Sequence, residues 1–423
     1  MRLPLLAVAL LVLAPSVLQH ARAAESHRDF RLKGEAAYNR KDYAAARTAF
    51  ATAVELRPDS PRYLHSAAAL CALTGDTDAA LEYLHRLAAL GVSTPVERDP
   101  DFARLQGTVP FAKILRQLAD NRAPQGEAEV FAELPGRTGI IEGIVHRPRT
   151  GDLFLGDVHH RCIWRRDRDG KITRFTAEDD ELLGVFGLVI DEERNTLWAA
   201  TSAVPEMTGF TAEMKGRTAL AEFNLATGEL RRVVPVPGDG RDHALGDLLV
   251  APDGTIFATD STAPVIWQLA PGAEEIQKHA ESPLFSSLQG LVLAKRALLV
   301  ADYANGLLLV DLATGNVTAL ATPKNSTLLG LDGLVAMPGG LVAVQNGVTP
   351  QRVLRIEFNP EMDAVTSVTV LAAGLPHLTD LSLVTLVHDR PTFIAGAGWD
   401  GFDPAKSAHP PAHTVRIFQL AAP

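Results

Sequence analysis

Acids and carboxamides recur in this chain at two kinds of position. Glu142, Asp247, Gln289, Asp332 and Asp380 stand at the heads of short apolar runs. Asp157, Asp260 and Asp302 close the run that follows, and His159, His160, Tyr303, Asn346, Trp399 and Asp400 open the loops beyond. Carboxylates gathered in one narrow space repel one another without a cation. Calcium takes roughly six to eight hard oxygens and tolerates irregular geometry. Glu142, Gln289 and Asp332, completed by water, are therefore a candidate divalent-cation site, with calcium the best match. The alternative is a solvated channel in which these groups bond to backbone amides and waters. Candidate ligand-binding residues are Asp247, His160, Asp260, Asp302, Tyr303, Asn346, Asp380 and Trp399. Adjacent residues on a strand point to opposite faces, so at most one of His159 and His160 faces a common site. A surface histidine beside a loop is the plainer reading of that pair.

The elements that must position these groups repeat. Asp247 to Ala251 forms an apolar run, Pro252-Asp253-Gly254 a turn, and Thr255 to Asp260 an alternating run. Proline presets φ and glycine accepts φ > 0, so this is a β-hairpin. Six such phrases begin at 142, 186, 246, 289, 332 and 379, spaced by 44, 60, 43, 43 and 47 residues. Two further strands follow most of them, as in Leu307 to Asp311 and Val317 to Leu320. Short strands repeating every 40–50 residues or so read as propeller blades. Six units of four strands give a six-bladed β-propeller over 127–423. The last unit has only three strands of its own, ending at Thr414 to Phe418. Ala128 to Leu134 is expected to supply the fourth and close the ring. In a propeller the first strand of each blade lines the central channel, so residues distant in sequence converge on one face. The longest loop on that face, Ser202 to Thr218, is expected to cover the mouth.

Upstream, residues 27–120 have helical periodicity and few strand signals. Phe30, Gly34, Ala37, Ala46, Phe50, Ala53 and Pro58 align, 34 residues apart, with a second set from Leu64 to Leu87. The small residues allow two helices to approach, Phe50 fills the space beside them, and Asp42 and Asp76 suit N-caps. The spacing resembles the tetratricopeptide repeat and implies a protein or peptide partner on this domain. Residues 121–126 are the expected linker. Residues 1–23 combine Arg2, an apolar core and Ala21-Arg22-Ala23, the pattern of a secretory leader. A secreted or periplasmic location follows as an expectation. The apolar core is too short for a membrane span, and no lipidated cysteine follows, so no membrane anchor is expected.

The chain of 423 residues carries a formal net charge of −10, which argues against nucleic acid as a partner. Its two cysteines, Cys71 and Cys162, fall in different domains and make no zinc site. There is no Gly-x-Ser-x-Gly elbow and no phosphate-binding glycine loop.

Glu142-Gly143, the phrase from Asp247 to Gly254, and Asp332-Gly333 resemble the SMP-30/gluconolactonase family. NHL-type and strictosidine-synthase-like propellers share much of this phrasing. The resemblance covers about 127–420. It implies a divalent cation in the channel and hydrolysis of a sugar lactone. It puts the family's metal-binding glutamate on Glu142 and its metal-binding, hydrolytic aspartate on Asp332. The asparagine of the fourth blade falls on Gln289, whose amide oxygen lies one methylene further out. That of the third blade falls on Gly246, which has no side chain. The expected function is thus cation-assisted hydrolysis of a lactone or ester. The alternative is a non-catalytic binding module, with a protein partner on the helical repeats and a small ligand at the propeller channel.

Overall fold

The computed structural model describes residues 25–178 and 180–421. The expected leader, 1–23, lies outside the described residues. Helices α1 (His27–Asn39), α2 (Tyr43–Leu56), α3 (Pro61–Thr74), α4 (Thr77–Ala89) and α5 (Val109–Asn121) come first. Among the described residues no helix is long and apolar enough to cross a membrane. Ser26, Asp42, Ser60 and Asp76 cap the first four helices by accepting a backbone N–H. Gly34 lets α1 and α2 meet: a Cβ there would lie 2.6 Å from the Phe50 ring. The core of this domain holds Ala46, Phe50, Leu64, Leu84, Phe102 and Phe111.

Six antiparallel sheets follow. Their inner strands are Ile141–Arg147, Gly184–Asp191, Leu245–Val250, Leu288–Ala294, Leu331–Met337 and Val384–Val387. The first five begin near the expected phrases. The sixth begins later than expected, because Asp380 sits at φ 52, a left-handed conformation that a strand cannot contain. Ring closure is as the sequence indicates. Ala128–Arg137 pairs with His413–Leu420, with Leu134 opposite Val415 and Val130 opposite Phe418. Leu134, Ile141, Leu153, Ile394 and Val415 then form one core across the first and last blades.

The segment expected as a linker is not a free tether. Gln125–Gly126 pairs with Val365–Ala373 and adds a fifth, outermost strand to blade five. The helical domain is fastened to the same side of the propeller. Ser93 N donates to Thr349 O (2.6 Å), Arg352 Nη1 to Gly91 O (3.1 Å) and Thr322 Oγ1 to Asp59 Oδ2 (2.9 Å). Val348 packs on the helical core. Cys71 and Cys162 are buried free thiols, one in each domain.

Candidate functional site

Each of the first five inner strands breaks register just inside its first one or two paired residues. The shifts fall between Ile141 and Ile144, Val185 and Leu188, Leu245 and Leu248, Leu288 and Leu291, and Leu331 and Leu334. A bulge bends the strand and re-aims a side chain. The bulged pairs are Glu142-Gly143, Phe186-Gly187, Gly246-Asp247, Gln289-Gly290 and Asp332-Gly333. Their glycines permit close contact between blades: a Cβ at Gly143 would lie 2.1 Å from Phe186 O. In blade three the order is reversed, so Gly246 occupies the side-chain position and Asp247 the crowded one.

Two contiguous chambers occupy the channel. The outer, about 310 Å³, is lined by Glu142, Gln289, Tyr303, Asp332, Asn346, Gln351, Asp380, Leu381, Trp399 and Asp400. The inner, about 220 Å³, shares Glu142, Gln289, Asp332 and Trp399 and adds Phe186, Gly246, Asp247, Ser261 and Leu383. The structure thus brings together eight of the sequence-derived candidates: Glu142, Asp247, Gln289, Tyr303, Asp332, Asn346, Asp380 and Trp399. No Lys, Arg or His lines either chamber.

Trp399 Nε1 donates to Glu142 Oε2 (2.5 Å), and Asn346 Nδ2 to Asp332 Oδ2 (2.6 Å) and Leu381 O (2.9 Å). Gln289 Nε2 donates to Ser287 Oγ (3.1 Å), leaving its Oε1 toward the space beside Gly246. Asp380 Oδ2 accepts from Gly398 N (2.6 Å). Burial, and then the charge of Asp332, push the Glu142 carboxyl well above its ordinary range. Burial likewise raises Asp332, against the opposing Asn346 bond. Asp247 is pushed up by burial to about 7, although Leu248 N donates to it (2.9 Å).

This donor set suits a hard cation in part. Glu142, Asp332 and the Gln289 amide are all oxygen donors, and Asn346 Oδ1 is buried without a hydrogen-bond partner. A buried amide oxygen left unpaired beside uncompensated carboxylates is costly unless something electropositive meets it. Against this, no three His, Cys, Asp or Glu among the described residues are grouped as a metal cluster. The cation would be held by two carboxylates and amide oxygens. Ser261 Oγ lies 2.6 Å from where a Gly246 Cβ would stand, so a hydroxyl occupies part of the space a larger side chain would take.

Three candidates stand elsewhere. Asp260 and Asp302 are fully buried and serve as knots at the ends of second strands. Asp260 accepts from His243 Nδ1 (2.7 Å), Trp267 Nε1 (3.2 Å) and the amides of Ala244, Thr262 and Ala263. Asp302 accepts from the amides of Ser286, Ser287, Ala304 and Asn305. Asp157 plays the same part in blade one, taking Trp164 Nε1 (2.9 Å) and His160 Nδ1 (2.8 Å). His160 is therefore bound to a knot and lines neither chamber, and His159 contacts Glu206 O and His409. No residue of the loop from Ser202 to Thr218 lines either chamber. The loop lies against blade one, where Thr208 N donates to His159 O (2.9 Å).

Sequence reasoning missed Phe186, Ser261, Gln351, Leu381 and Leu383. The repeated X-Gly pair was the available signal for Phe186, which occupies the side-chain position in blade two.

The chain matches no family model and no curated protein sequence. Among solved structures it is similar to the PQQ-bound aldose sugar dehydrogenase of Streptomyces coelicolor, at 14% identity over 70% of this chain and 99% of that one, with a TM-score of 0.49. It is similar to a gluconolactonase of Xanthomonas campestris at 16% identity, over 72% and 93%, with a TM-score of 0.48. A virginiamycin B lyase of Staphylococcus aureus is similar at 14%, over 70% and 100%, with a TM-score of 0.46. These three differ in their named chemistry, and the six-bladed architecture here rests on the strand pairing itself.

Proposed function

We propose that the propeller channel is the site of a divalent-cation-assisted hydrolase acting on a lactone or ester. The observation that carries this reading is the acidic pair of half-buried Glu142 and buried Asp332, with no cationic side chain in either chamber. Glu142, Asp332, Gln289 and Asn346 Oδ1 would hold the cation, and calcium best fits hard oxygens in irregular array. When bound, such a cation polarises a carbonyl oxygen. Asp332 takes the proton of a water as that water's oxygen bonds to the carbonyl carbon. Asn346 holds one carboxylate oxygen of Asp332, leaving the other for the water. Trp399 fixes Glu142 through its indole N–H. As the acyl–oxygen bond breaks, the proton on Asp332 passes to the departing oxygen, and acid and alcohol result.

A panel of sugar lactones and simple esters, assayed with and without calcium, tests this. Turnover that needs calcium and is lost in Asp332→Asn supports it. No turnover by the wild-type chain on any of them counts against it.

The second reading is a binding module. It is favoured by Gly246, which offers no ligand, and by the placement of the helical domain beside the channel face. Here the helical repeats would hold a protein or peptide and the channel a small ligand. The leader pattern at 1–23 supports export to the periplasm or exterior under either reading.

A further inference from the structure

A further cavity lies between the domains, not in the channel. It encloses about 930 Å³, within the usual range for a small-molecule site. Helices α1 and α3 and the turn at Val92–Pro95 form one wall; propeller loops around Tyr303, Leu329 and Val348 form the other. No Asp or Glu is among its lining residues, whereas Arg28, Arg31, Arg57 and Arg62 all are. Two carboxylates behind the wall offset part of this charge. Glu35 is shared by Arg31 (2.8 Å) and Arg62 (2.7 Å), and Asp59 is gripped by Arg57 through Nε and Nη2 (both 3.1 Å). His65, also in the wall, bonds Asp99 (2.8 Å). Arg28 has no hydrogen-bond or ion-pair partner among the described residues, although it is partly buried.

Arg28 also stands in the first turn of α1, where the helix dipole favours anions and disfavours cations. Nothing in the helical domain's own folding calls for arginine there. The neighbouring His27 bridges Tyr63 Oη (2.9 Å) and Asn305 Oδ1 (3.1 Å) and so ties this wall to the propeller. Burial, with Arg57 and Arg28 nearby, holds the His27 imidazole below its usual value.

We propose that this interdomain cleft binds an oxyanion-bearing small molecule, with Arg28 as the principal anchor and the Arg31–Arg62 pair beside it. Leu32, Val92 and Val348 line the same cavity and give an apolar wall for the ligand's body. Guanidinium forks suit carboxylate and phosphate alike, because both present paired oxygens. Tyr303 lines both this cleft and the outer channel chamber, so the two spaces adjoin. Anion binding here does not require the channel to be catalytic.

Calorimetric titration of the full chain with gluconate, glucose 6-phosphate and glucose at matched ionic strength tests it. Both anions should bind and neutral glucose should not. The tighter of the two identifies carboxylate or phosphate as the natural group. Arg28→Ala should weaken binding by roughly ten- to hundredfold, the scale of one lost charge-assisted bond. Arg28→Lys should recover part of it. Arg28→Glu should abolish it while the unliganded melting temperature holds or rises, since an acid suits that helical turn. Equal binding of glucose and the anions would overturn the assignment. So would affinity unchanged in Arg28→Glu, or no binding of either anion, citrate or pyrophosphate up to about 10 mM, well past the weak end of specific affinities.

Discussion

Asn346 donates to Asp332 Oδ2 at 2.6 Å while its own Oδ1, equally buried, has no partner. The amide thus spends its donor on the acid that heads the neighbouring inner strand and leaves its acceptor unpaired. That asymmetry suits a cation between Asn346, Asp332 and Glu142. Calcium should therefore raise the melting temperature with the logarithm of its excess over Kd. Glu142→Gln should abolish the response. A melt unchanged across millimolar calcium, magnesium and zinc would remove the cation from the site.

Gly246 makes a constructive version of the same test. An asparagine there alone would collide with Ser261 Oγ, 2.6 Å from the new Cβ. With Ser261→Ala the space opens. The double variant Gly246→Asn/Ser261→Ala should bind calcium at least about tenfold more tightly than wild type, about 1.4 kcal/mol. Titration calorimetry reads this directly, and an unchanged Kd would show that the inner chamber does not adjoin the cation.

Asp332→Asn should reduce any hydrolysis by roughly a hundredfold or more, the usual scale for losing a general base, with little change in melting temperature. Burial raises the Asp332 pKa, so at limiting calcium the acid limb of the rate profile should lie above the ordinary carboxylate range. Activity rises with pH through that limb, because the base must be ionised. Calcium favours the ionised form and should move the limb to lower pH. A calcium-independent limb would separate Asp332 from the cation.

Asp247 predicts a pH-dependent stability. Its folded value is about 7 against an ordinary 3.8. Below the ordinary value both states hold the proton and nothing is lost. As pH rises toward about 7 the unfolded chain ionises first, so stability falls, and above about 7 the whole penalty is present. Asp247→Asn should therefore match wild type near pH 4 and melt higher near pH 8, by no more than about 4 kcal/mol. Equal melting at both pH values would mean that the Asp247 charge is compensated.

Asp260 should behave in the opposite way to the channel acids. Asp260→Ala leaves His243, the Trp267 indole and three amides without their acceptor. It should cost roughly 3–5 kcal/mol, read by thermal or denaturant unfolding. A loss of ligand binding or activity at unchanged stability would return Asp260 to the channel.

The sequence by itself determined much of this molecule. Side-chain alternation and turn chemistry are local signals, so the six repeats could be read residue by residue. So could the borrowed strand at 128–134, since a three-stranded last unit requires a partner. The heads of the inner strands then placed Glu142, Gln289 and Asp332 in one channel by symmetry alone. Tertiary structure decided what each acid does there. Asp260 and Asp332 both belong to hairpins of the same phrase, yet one is locked by His243 and Trp267 and the other faces the chamber. Hydrogen-bond partners from other strands and loops make that difference, and a two-residue period does not encode them. The bulges that turn Glu142 and Asp332 inward form only where neighbouring strands lose register. The left-handed Asp380, the blade-one seat of the 202–218 loop and the arginine-lined cleft share this origin. Each arises where surfaces distant in sequence come into contact, and periodicity along one strand or helix carries no information about its neighbour.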